Sequence, residues 1–153
     1  MTDKDPIAAL GAIMLLMVAL SMLGHVASPQ PTRHTGTSSI QPASTSIEVY
    51  SVYDLLHPLT SVAWGTLMPG DSAYQEVWIS NKDASKTYNL TMSMSEWNPP
   101  EASSCMNFSW NCTGQILDAQ TSICARFNLE VLWNCTGISH FSFMILIGYE
   151  EVT

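Results

Sequence analysis

In "CTGISHFSFM", Cys135, His140 and Met144 stand in the spacing C-x4-H-x3-M. Blue-copper proteins hold their metal with a thiolate, two imidazoles and a weak axial thioether, so this run could supply three of those four ligands, with His57 from an earlier segment as the fourth. A cysteine can do this only as a free thiolate, and Cys135 has competitors. It is one of four cysteines, at 105, 112, 124 and 135, with 6, 11 and 10 residues between them. Structural zinc favours close C-x2–4-C pairs that place two ligands on one turn, and no such pair occurs. An even cysteine count behind a translocation signal in a small domain is instead the mark of disulfides.

Cys112 and Cys135 lie in two copies of "WNCTG", Trp110 to Gly114 and Trp133 to Gly137. The flanks of the copies differ and no third copy exists, which argues against a repeat array. Both copies also contain an N-x-S/T sequon, and with Asn89 and Asn107 they make four acceptor sites for N-linked sugar: Asn89, Asn107, Asn111 and Asn134.

The elements that must position these residues read as strands. In "YNLTMSMS", Tyr88, Leu90, Met92 and Met94 alternate with polar residues, the period of two of a half-buried strand. "ICARFNLEV" does the same, with Ile123, Ala125, Phe127, Leu129 and Val131 on one face. "FSFMILIGY" is apolar on both faces and so reads as an interior strand. Turn signals ("LMPGD", "SNKDASK", "WNPPEASS", "LDAQT") separate these runs, and no segment after residue 27 has a helical period. Short strands at this spacing without intervening helices predict a two-sheet antiparallel β-sandwich. Strand parity places Met106, Phe108, Trp110 and Cys112 on the core face and Cys105 and Cys124 on the outer face. Cysteines on opposite faces of a sheet cannot meet, so the expected pairs are Cys112 with Cys135 and Cys105 with Cys124.

The run "VAWGTLMPGDSAYQEVWISNKDASKTYNLTMSMSEWNP" (Val62 to Pro99), followed by "FSWNCTGQIL" and "TGISHFSFMILI", resembles a group of small archaeal proteins with an N-terminal hydrophobic segment. Their pattern comprises a "WGTL-PG" turn, a "V-I-N-G" strand, a "NWNP" loop, an "LSWNYNGQ" strand and a "TGITSFSF" final strand. Its core is similar to immunoglobulin-like domains of the ASPM/SPD-2/Hydin type. The resemblance implies an immunoglobulin-like antiparallel sandwich over most of Val62 to Ile147 and brings no catalytic residues with it. It departs at Cys112, where the group has tyrosine, so it carries no information on the cysteines.

Three segments are expected. Residues 1–27 contain "IAALGAIMLLMVALSML" (Ile7 to Leu23), 17 residues without a charge that would run roughly 25 Å as a helix, close to the hydrocarbon thickness of a bilayer. The preceding "MTDKD" is not basic, and "GHVAS" puts His25 where a signal peptidase wants a small residue, so an uncleaved anchor is favoured over a cleaved signal or a buried helix. Residues 28–46, "SPQPTRHTGTSSIQPASTS", are Pro, Ser and Thr with few bulky apolar groups, which predicts a solvated linker. Residues 47–153 are the expected sandwich domain, held at the membrane on the extracytoplasmic side, or secreted if the N-terminal segment is cleaved.

Five Lys and Arg against thirteen Asp and Glu give a formal charge of −8, which opposes binding to nucleic acid or an anionic surface. No phosphate-binding glycine loop, nucleophile elbow or H-E-x-x-H motif occurs, so no catalysis and no cofactor is expected. Trp78, outward by parity between Val77 and Ile79, and Trp97 in "SEWNPP" are the expected binding residues. The primary expectation is an envelope-tethered binding or assembly module, meeting a protein partner or its own copies through sheet edges or exposed aromatics. The alternative is a membrane-anchored copper electron carrier using His57, Cys135, His140 and Met144.

Overall fold

In the computed structural model the chain divides into Met1–Gln30 and Pro31–Thr153, and residues 30–152 are described. The apolar run expected as a membrane anchor lies outside the described residues. Among the described residues no helix is long and apolar enough to cross a membrane.

The described residues are mainly β. Nine strands and one short 3₁₀ turn, Pro100–Ser104, follow one another: β1 His34–Pro42, β2 Ile47–Tyr50, β3 Ser61–Leu67, β4 Ser72–Asn81, β5 Tyr88–Asn98, β6 Met106–Trp110, β7 Ile116–Leu117, β8 Ser122–Val131 and β9 His140–Glu151. They form two sheets, one of order β3-β1-β9-β5-β7 and one of order β2-β4-β8-β6. All pairings are antiparallel except β1 with β9, which run parallel.

The expected alternation accounts for the core. Ala125, Phe127, Leu129 and Val131 of β8 are all buried, with the intervening residues more exposed. Val77 and Ile79 of β4 are fully buried, as are Leu90 of β5 and Ile145 and Ile147 of β9. β9 lies between β1 and β5, the interior place its double-sided apolar pattern predicts. Side chains from both sheets make one apolar cluster. Each large aliphatic or aromatic chain in it contributes on the order of 1.5–3 kcal/mol by leaving water. Phe143 is the meeting point: its ring centroid is 4.3 Å from Trp97 and 6.3 Å from Trp64, both stacked, and 5.4 Å from Phe108 of the other sheet, edge-on. Met94 departs from the expected pattern, being 38% exposed.

The segment read as a solvated linker is the main correction. His34–Pro42 is strand β1, hydrogen-bonded to β3 on one side and β9 on the other. Its small residues suit that place. Gly36 lies against the Phe141 ring, Ser38 accepts a hydrogen bond from Trp64 Nε1 at 3.1 Å, and Ile40 joins the core. Two flanking ladders satisfy its backbone, so β1 needs little apolar surface of its own. His34, at its head, is fully buried.

At the opposite end of β4, the buried Asn81 holds the turns together. Its Nδ2 donates to the carbonyls of Lys86, Leu117 and Asp118 at 2.7, 3.2 and 3.1 Å, and its Oδ1 accepts from Asp83 N at 2.9 Å. One amide thus replaces the ladder bonds that both connecting loops lack.

Gly36 tests the β1 assignment. A Cβ there would lie 1.9–2.3 Å from the Phe141 ring, so Gly36→Ala should cost roughly 1–3 kcal/mol by overpacking. Pairing it with Phe141→Leu should return part of that loss in denaturant unfolding. An exposed linker would show no effect.

Candidate functional site

The connections β3–β4, β5–β6 and β8–β9 meet at one end of the two sheets, and hydrogen bonds hold them there. Gly70 N donates to Val131 O at 2.7 Å, Val131 N to Asp71 O at 2.9 Å, and Leu132 N to Cys105 O at 2.9 Å. A disulfide between Cys105 and Cys135, Cα atoms 5.0 Å apart, adds a covalent tie between the β5–β6 and β8–β9 connections. Both cysteines are buried.

Local sequence explains this arrangement. Strand β5 ends at Asn98 and a cis bond to Pro99 leads into the 3₁₀ turn, whose last residues hand over to Cys105. In the other loop, Cys135 N donates to Leu132 O at 3.0 Å, a tight turn that points Cys135 inward. The β3–β4 turn is closed by Asp71, whose carboxylate accepts from Met68 N at 2.9 Å. Gly70 sits there at φ +90°, and a Cβ on it would come within 2.5–2.7 Å of the Trp133 indole. Only glycine accepts both the left-handed backbone and the ring resting on it.

Trp133 is therefore seated on Gly70 yet 83% exposed. Beside the disulfide, an open groove of about 370 Å³ is lined by Pro99, Glu101, Ser104, Asn134, Thr136 and Ile138. Glu101 gives this groove a negative charge, in keeping with the net charge of the chain. The ion pairs of the described residues lie elsewhere: Lys82–Glu48, Lys86–Glu151, Arg126–Glu76 and the histidine pair His57–Asp54. The groove presents hydroxyls, an amide and a carboxylate, and the exposed indole belongs to the residue that precedes Asn134 of its lining.

The residues singled out by sequence fall as follows. Expected pairs Cys112–Cys135 and Cys105–Cys124 are replaced by Cys105–Cys135, with Cys112 and Cys124 as thiols. Cys124, within β8, is exposed as alternation predicts, whereas Cys112 is buried but lies past the end of β6 at Trp110, where alternation no longer fixes its side. Alternation fails likewise for Cys105, which follows the 3₁₀ turn outside β6. Copper ligation falls with the same bond, because the Cys135 sulfur is committed to Cys105. His57 lies in the loop after β2, 3.4 Å from Asp54, and His140 opens β9 beside Ser139. A bond from Leu56 N–H, and then His57, holds the Asp54 carboxyl below its ordinary range. Met144 is half-buried on β9.

Trp97 packs flat on Phe143 as part of the core margin, so it is not the free loop aromatic expected. Trp78 points outward as expected, but the Tyr53 ring covers it edge-on at 4.7 Å. Asn107, Asn111 and Asn134 are exposed; the Asn111 Oδ1 accepts a bond from Arg126 N at 2.8 Å. Asn89 is half-buried with its Oδ1 shut away from solvent. Trp133 was missed, although "LMPGD" announced the turn that seats it.

Compared with known proteins, the chain matches no family model and no curated sequence.

The tie between the loops carries a stability expectation. Its sequence separation of 30 gives about 3–4 kcal/mol in the loop-entropy account. Cys105→Ser with Cys135→Ser should lose stability of that order in denaturant unfolding. Equal stability of the double variant and the parent would remove the tie from the account.

Proposed function

We propose that this chain is a binding or assembly module of the cell envelope: an immunoglobulin-like β-sandwich on the extracytoplasmic side, tethered through the Ile7 to Leu23 segment and acting without chemistry of its own. The observation that carries the reading is Trp133, 83% exposed and fixed on Gly70 at the end where bonded loops converge. An exposed large aromatic costs solubility, and rigid indoles are the side chains most enriched among binding hot spots. A seat that admits only glycine removes the ordering cost that a mobile tryptophan would bring to an interface.

Other features support the same reading. A disulfide suits a compartment outside the cytoplasm. Two sheets with one shared core and a parallel first-to-last strand pair are compatible with the immunoglobulin-like fold implied by the archaeal resemblance. Loops at one end of such a sandwich are its customary recognition surface. The surplus of carboxylates favours a neutral or cationic partner over an anionic one.

Purified Pro31–Thr153 should bind isolated envelopes of the source cells saturably. Trp133→Ala should weaken that binding roughly thirtyfold or more, as for a hot-spot aromatic worth about 2 kcal/mol, with unfolding unchanged. Tyr53→Ala, which removes an exposed aromatic packed on Trp78 in the second half of β4, away from these loops, should leave it intact. Absence of saturable binding, or equal binding by all three proteins, contradicts the proposal.

A further inference from the structure

The Cys112 sulfur lies against the main chain of Cys124, the other cysteine outside the bridge. β6 pairs with β8 up to Trp110, opposite Phe127. Beyond that residue the ladder continues through side chains: Asn111 Oδ1 accepts from Arg126 N at 2.8 Å, and Cys112 Sγ lies 3.9 Å from the Cys124 carbonyl oxygen. Two consecutive side chains thus take the place of main-chain bonds, leaving the Asn111 and Cys112 backbone about one side chain away from β8. A disulfide spans that kind of gap, with Cα atoms roughly 4.4–6.8 Å apart.

The two thiols differ in access. Cys124 is exposed, opposite Trp78 on the neighbouring strand, whereas Cys112 is 4% exposed. Burial, and then the charge of the nearby Cys124, pushes the Cys112 thiol up from its ordinary range. An external disulfide therefore meets Cys124 first, and Cys112 is shielded from everything except its neighbour.

We infer that Cys112 and Cys124 form a dithiol that closes to a second disulfide by exchange with a disulfide donor, Cys124 attacking and Cys112 resolving. In the first step the Cys124 thiolate attacks one donor sulfur. A Cys124–donor bond forms, the donor S–S bond breaks, and one donor thiolate leaves. In the second step Cys112, having given its proton to solvent, attacks Cys124 Sγ. The Cys112–Cys124 bond forms and the second donor thiolate leaves. Two protein thiols are oxidised and one donor disulfide is reduced to two thiols.

This closure has a structural consequence. Between Trp110 and Ile116 the chain passes from one sheet to the other, held by Gly114 N on Leu90 O and Leu90 N on Gln115 O, each at 3.0 Å. A Cys112–Cys124 bond would fasten the start of that crossing to β8. Each "WNCTG" copy would then be covalently tied, one within the sheet crossing and one at the loop end.

The test uses the full chain, reduced and then exposed to oxidised glutathione, quenched, alkylated and peptide-mapped without reductant. The expected map has Cys112 linked to Cys124, Cys105 linked to Cys135, and no retained glutathione. In Cys112→Ser, glutathione should stay on Cys124 because no resolving thiol remains. The inference is overturned if the parent chain keeps glutathione on Cys124, leaves both thiols open to alkylation, links Cys124 between chains, or shows any other pairing. The parent map decides on its own if Cys112→Ser does not fold.

Discussion

Cys105 and Cys135 belong to connections that leave different strands, and neither connection has a ladder to hold it. The bond between them converts two loops into one unit, to which Leu132 N on Cys105 O adds a main-chain bond at 2.9 Å. Through Val131 that unit is also bonded to the β3–β4 turn, so the place of Trp133 on Gly70 depends on all three connections together. The same bond takes the Cys135 sulfur out of the thiolate state. A sulfur bonded to another in a disulfide is not available as a thiolate ligand or nucleophile.

Beneath the loops the aromatic cluster supplies the rigid base. Phe143 stands in the central strand of one sheet and touches Phe108 of the other, while Trp97 stacked on it leads directly into Asn98 and the 3₁₀ turn that ends at Cys105. Movement of the loop end relative to the core would have to break these stacks, each worth about 0.5–1.5 kcal/mol beyond area burial. β1 closes the assembly by pairing with both β9 and β3. Without it, the long strand β9 would expose a backbone edge beside the cluster.

Most of the strands were legible because burial on one face writes a period of two into the sequence. That is plain in "ICARFNLEV", whose alternate residues from Ala125 to Val131 are buried, and in "EVWIS", where Val77 and Ile79 turn inward and Trp78 outward. β1 was not legible, since "HTGTSSIQP" is held by backbone bonds to strands far along the chain and by large side chains, Trp64 and Phe141, that belong to those partners. Cys105 was misplaced for a related reason: the alternation rule stops where the strand stops, and the 3₁₀ turn before β6 was hidden in a run read only as a loop. The site was legible in its parts and not in its assembly. "LMPGD", "WNPPEASS" and "WNCTG" were each visible, but nothing local says that the three meet, or that the indole of the last rests on the glycine of the first.

Cys105 and Cys135 are joined to each other in the structure, and the extracytoplasmic placement proposed for the chain requires the same bond in living cells. Rapid alkylation of intact source cells with a membrane-permeant reagent, followed by denaturation and peptide mapping without reductant, reads this directly. The account predicts a Cys105–Cys135 peptide and no alkyl group on either residue. Alkylated Cys105 and Cys135 in freshly trapped protein would contradict it.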